Sequence, residues 1–106
     1  MVKLFRSVRG LVKQELTLAN KQNDEYFHSA HEGYGVIVEE KTEAWDETIN
    51  VEGAVDRLLR AMILDRKDDL HEAAKAVERH AMLAACEYIQ VAAMARKLRE
   101  SERVKK

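Results

Sequence analysis

Thirteen of the fifteen residues from Ala81 to Ala95 are apolar or small, and the two exceptions, Glu87 and Gln90, lie inside the run. A helix with that pattern has no polar side to give to water, so it belongs at the centre of a bundle. The run falls short of the ~18–20 uninterrupted apolar residues a membrane-spanning helix needs. No proline and only four glycines occur in the 106 residues. That argues against a turn-rich β-sandwich and against a collagen-like or disordered chain. The expectation is one all-α domain over 1–106, an antiparallel bundle of three to four helices closed by a long C-terminal helix.

Hydrophobic spacing places the elements. In the N-terminal segment 1–23, Leu4, Val8, Leu11, Val12 and Leu16 recur at steps of three and four, which predicts an amphipathic helix over 2–20. Residues 21–28 lack that period and read as a connection. Ser29 followed by Glu32 has the capping-box spacing, so a second helix starts there and runs over 29–50. A shorter helix is expected over 54–64 after a break at 50–53. Asp69 with Glu72 repeats the capping-box spacing and marks a fresh start, with the last helix over 70–102.

Charge is distributed unevenly. The formal net charge is −1, yet residues 1–23 carry +4, residues 24–56 carry −9 and residues 57–106 carry +4. The acids of the middle segment gather on the second helix, where Glu39 and Glu43 are one turn apart and Glu40 and Glu43 are three apart. Like charges at these spacings cost a few tenths of a kcal/mol per pair. A cation, a basic partner or plain solvation offsets that cost.

Glu87 raises a sharper problem. A buried carboxylate needs a metal, a cationic side chain or a proton. A helix bearing Glu-Glu-x-x-Glu that faces a helix with an inward Glu makes an oxygen-rich site, which suits Mg²⁺ or Mn²⁺ better than Zn²⁺. Such ions polarise a phosphoryl group and activate water. The alternative is an interhelical pair between Glu87 and an arginine or lysine.

The segment Glu39-Glu40-Lys41-Thr42-Glu43 resembles the Glu-Glu-x-x-Glu motif of the MazG-like all-α nucleotide pyrophosphohydrolases, and Glu87-Tyr88-Ile89-Gln90 stands where that family has Glu-x-x-Asp. The stretches His31–Trp45 and Ile89–Ala95 also resemble small phage or prophage members, so the likeness covers roughly residues 25–100. It implies Mg²⁺- or Mn²⁺-dependent hydrolysis of a nucleoside triphosphate to the monophosphate and pyrophosphate. It further implies metal ligation by Glu39, Glu40, Glu43 and Glu87, with Gln90 in a weakened fourth position and Glu43 as the catalytic residue. Gln90 in place of aspartate removes one anionic ligand. An active enzyme, a slow one and an inactive helical interaction module that kept the fold are all compatible with it.

The remaining candidates point elsewhere. His28 with His31, and His71 with His80, lack the further ligands of a metal site. Cys86 reads as a packed core thiol, since no basic neighbour lowers its pKa. Tyr34, Trp45 and Tyr88 at helical positions read as core. The basic residues from Arg96 to Lys106 read as a solvated helix end. Neither zinc-finger spacing nor a Gly-rich phosphate loop is present, so sequence-specific nucleic-acid binding is not expected. One cysteine and no signal-peptide pattern predict a cytoplasmic protein. The apolar last helix wants more cover than one chain gives, so a homodimer or homotetramer is expected.

Overall fold

The computed structural model describes residues 1–104; Lys105 and Lys106, counted above in the basic tail, lie outside the described residues. Helices α1 (Val2–Gln22), α2 (Ala30–Ile63) and α3 (Lys67–Val104) follow one another, and no strand occurs among the described residues. This is the expected all-α architecture with its long last helix. As the apolar run requires, α3 is the central helix: it packs against both α1 and α2.

The break expected at 50–53 is absent, and the two middle helices are one continuous α2. The reason lies in the side of α2 that faces α3. Its inward residues recur from Gly33 to Ala61 at alternating steps of four and three, and Val51, Ala54 and Leu58 continue the row straight through Gly53. A mid-helix glycine costs about 1 kcal/mol, less than the row gains by remaining buried. Ser29 does cap the helix, its hydroxyl accepting from the Glu32 N–H at 3.1 Å.

A tight turn reverses the chain between α2 and α3. Asp65 takes a left-handed conformation with φ 51. The Asp65 N–H donates to the Met62 carbonyl at 3.2 Å and the Arg66 N–H to the Ala61 carbonyl at 2.9 Å. These two bonds satisfy carbonyls that the helix end would otherwise leave open. Because α3 begins at Lys67, Asp69 does not cap it. Asp69 sits in the first turn and accepts from both the Nε, at 3.1 Å, and an Nη of Arg57 across the hairpin.

The interface between α2 and α3 is built on small side chains. Ala44, Ala54 and Ala61 of α2 are buried, as are Ala73 and Ala84 of α3. At the open end of the hairpin Gly33 lies so close to α3 that an added Cβ would come within 2.7 Å of the Leu98 side chain. There the connection after α1 is tied down as well: the Phe27 N–H donates to the Ser101 hydroxyl at 2.9 Å. That hydroxyl in turn donates to the Lys97 carbonyl at 2.7 Å. Lys97 is not part of a solvated tail. It is buried, with its ammonium 4.8 Å from the centre of the Phe27 ring.

A Cβ at Gly53 would meet nothing within 4 Å. Gly53→Ala should therefore stabilise the chain by about 0.5–1 kcal/mol, read as a rise in melting temperature of several degrees. A fall in melting temperature would contradict the uninterrupted α2.

Candidate metal centre

Helix spacing brings the motif carboxylates together only in part. Glu40 faces α3 in the inward row of α2, Glu43 sits one turn further along that helix, and Glu87 projects from the apolar stretch of α3. One carboxylate oxygen from each of the three lies within 4.8 Å of the others. Glu39 is exposed and stands outside this group. Adjacent residues on a helix point about 100° apart, so Glu39 and Glu40 cannot both face inward. Gln90 lines a cavity of about 430 Å³ together with Glu40, with Glu15 and Gln22 of α1 and with Asn23 just beyond that helix.

Two observations distinguish the three carboxylates from a solvated acidic face. The Oε2 atoms of Glu40 and Glu87 are both buried and have no hydrogen-bond partner. Burial pushes the Glu40 carboxyl above its ordinary value, and the charges of Glu43, Glu87 and Glu39 push it further. Glu87 is raised in the same direction, first by burial and then by Glu43. No arginine or lysine answers these charges within ion-pair distance among the described residues, so the interhelical pair weighed for Glu87 is not formed.

The donor set fits a small hard cation. Oxygens on opposite sides of an octahedral Mg²⁺ are about 4.2 Å apart and adjacent ones nearer 3 Å, from bond lengths of about 2.1 Å. At least two of the three separations belong to adjacent positions, so carboxylates within 4.8 Å of one another have to close by up to about 1.8 Å, a rotamer-scale movement. Three anionic oxygens from two packed helices also match the preference of Mg²⁺ and Mn²⁺ for carboxylates.

Around this centre lie contacts that spacing alone does not disclose. Glu47, one turn beyond Glu43, pairs with His80 of α3 at 3.0 Å. The hydrogen bond from that imidazole holds the Glu47 carboxyl below the ordinary carboxylate range. The Thr48 and Tyr88 hydroxyls are 3.1 Å apart. In sequence, Glu47 and His80 are separated by 33 positions, and only an antiparallel register could have paired them. Four other expectations do not survive. Cys86 is exposed, as are Tyr34, Trp45 and Tyr88. The alanine-lined interface admits little bulk, and it turns these larger side chains outward.

His28 contacts Asp24 at 3.0 Å, while His31 and His71 are exposed. No helix among the described residues is long and apolar enough to cross a membrane. Comparison with protein-family models, with curated proteins and with solved structures gave no match to this chain.

The raised carboxyls set a pH dependence. An acid whose folded value lies above its unfolded one, near 4.5, leaves stability intact below that value and removes it as pH rises through the folded value. Glu87→Gln removes the share of this loss that belongs to Glu87 and lessens that of Glu40. The variant should exceed the parent chain in melting temperature at pH 7 without divalent ions, and the gap should close toward pH 4. A gap independent of pH would contradict the carboxylate strain.

Proposed function

We propose that this chain is a divalent-cation-dependent nucleotide pyrophosphohydrolase, converting a nucleoside triphosphate and water to the monophosphate and pyrophosphate. It acts in the cytoplasm as a homo-oligomer. The observation that carries this is the meeting of Glu40, Glu43 and Glu87, two of them with buried, unpartnered oxygens. These are three of the positions that the resemblance to the MazG-like enzymes assigns to metal.

Glu40, Glu43 and Glu87 would hold Mg²⁺ or Mn²⁺, and the ion would supply Lewis acidity toward a phosphoryl oxygen and the attacking water. The other roles fall to side chains around the cavity. Its volume, about 430 Å³, lies in the range of small-molecule sites. Gln22 and Asn23 offer amides there to a sugar or base, and Gln90 offers a neutral oxygen beside Glu40. Glu43, the more exposed member of the three, would accept a proton from the attacking water.

Incubation with Mg²⁺ or Mn²⁺ and a panel of NTPs and dNTPs should release pyrophosphate. Losing a partner that merely orients a metal ligand typically costs 10–100-fold, so Glu43→Ala should reduce release by at least about that much. Absence of turnover with every nucleotide would contradict the enzyme and leave a helical interaction module.

Gln90 supplies a separate check. A further charged contact is worth about 1.5 kcal/mol or more, so Gln90→Asp should tighten Mg²⁺ binding about tenfold or more in calorimetry. Unchanged affinity would place Gln90 outside the cation's reach.

A further inference from the structure

We propose that the nucleoside end of the substrate lies in the trough between α1 and the open end of the hairpin, where the buried Lys97 ammonium donates to an exocyclic oxygen of the base. The preferred substrates are then 6-oxopurine and 4-oxopyrimidine nucleotides. This rests on the nucleotide chemistry proposed above and names the base for the same site.

Lys97 is the group that asks for a ligand. It is 5% exposed, yet no carboxylate stands within ion-pair distance of it among the described residues. Its ammonium faces the Phe27 ring, 4.8 Å from the centre. A ring face compensates a desolvated ammonium only in part, and the three N–H donors stay open to an acceptor. The pair is also held in place. Phe27 is buried, and its N–H donates to the Ser101 hydroxyl, which donates in turn to the Lys97 carbonyl. That closed set of contacts fixes the donor before any ligand arrives.

The space around Lys97 leads back to the carboxylates. Lys97 lines a cavity of about 260 Å³ together with Phe27, Asp24 and Glu32. This cavity adjoins the one of about 430 Å³ beside Glu40 and Gln90, because Ala19, Asn23, Val36 and Met94 form walls of both. The two make one trough, with Lys97 one turn of α3 beyond the shared Met94. From Gln90 to Lys97 is two turns, about 10 Å by the helical rise, and a sugar with its base covers that distance. With the phosphates at the carboxylates, the sugar lies beside Gln22 and Asn23 and the base reaches Lys97.

Charge decides which end of the nucleotide points to Lys97. The other charged groups lining the two cavities are the acids Glu15, Asp24, Glu32 and Glu40. A polyphosphate running that way would pass four carboxylates with one cation to answer them, whereas a neutral base meets them as hydrogen-bond acceptors. The edge of a base farthest from its sugar carries the substituent at position 6 of a purine or 4 of a pyrimidine. An oxo group there accepts from the ammonium, and an amino group, itself a donor, does not. Guanine, hypoxanthine and uracil meet this condition, and adenine and cytosine fail it.

Titration of the metal-free chain with neutral nucleosides, by calorimetry and by NMR shifts at Phe27 and Lys97, tests this apart from hydrolysis. Inosine and uridine should bind at least about tenfold more tightly than adenosine and cytidine, the ratio a hydrogen bond to a charged group supplies. Lys97→Met keeps a packed stem and removes the donor. The ratio should vanish in that variant while Mn²⁺ affinity stays unchanged, since Glu87 is nearly three turns away along α3. If Lys97→Met does not fold, inosine against adenosine on the parent chain decides alone. Absence of nucleoside binding, equal affinity for all four, or shifts remote from Lys97 overturns the assignment. So does pyrophosphate binding that is lost in Lys97→Met, which would give the ammonium to the phosphate end. Selective nucleoside binding without hydrolysis of any triphosphate would uphold the subsite while the hydrolase fell. Equal kcat/KM for ITP and ATP would overturn the subsite and leave the hydrolase standing.

Discussion

The close approach of α2 to α3 across alanines governs most of what this chain does. Side chains as small as Ala44 and Ala84 let the two helices run side by side with little between them, so polar groups that share the interface cannot be kept apart by bulk. Glu40 and Glu87 sit in that same inward surface. Their repulsion is the consequence: two carboxylates with buried, unpartnered oxygens, each raised above its ordinary value. A core of leucine would be more stable and would have no reason to hold them there.

The same economy has an outward cost. Alanines bury little area at roughly 25 cal/mol per Å², and the larger apolar side chains of the hairpin are left facing water. Trp45 and Leu59 are about half exposed. A narrow interface that crowds acids and an apolar flank that needs cover are two results of one choice of residue size. A cation would relieve the first of them.

Much of this was legible in the sequence, and the reasons for the remainder are physical. Ala81–Ala95 marked the central helix because no polar stripe interrupts it, and Glu87 was conspicuous for the same reason. Steps of three separated Glu40 from Glu43 and placed both near one face. Local propensity at 50–53 predicts a break, and the inward row of α2 overrides it. Lys97 looked like tail, since nothing in its neighbourhood announces that Phe27, 70 positions earlier, will lie under its ammonium. Aromatic residues at helical spacing suggested core, but spacing gives a direction and not the room available there. Glu47 and His80 met through a register that only the hairpin turn determines.

Anomalous diffraction from crystals equilibrated with Mn²⁺ tests the central claim most directly. The account predicts a peak bounded by carboxylate oxygens of Glu40, Glu43 and Glu87, with Glu39 outside its coordination sphere. Saturating Mn²⁺ that leaves this position empty, or a peak on surface acids alone, would contradict it.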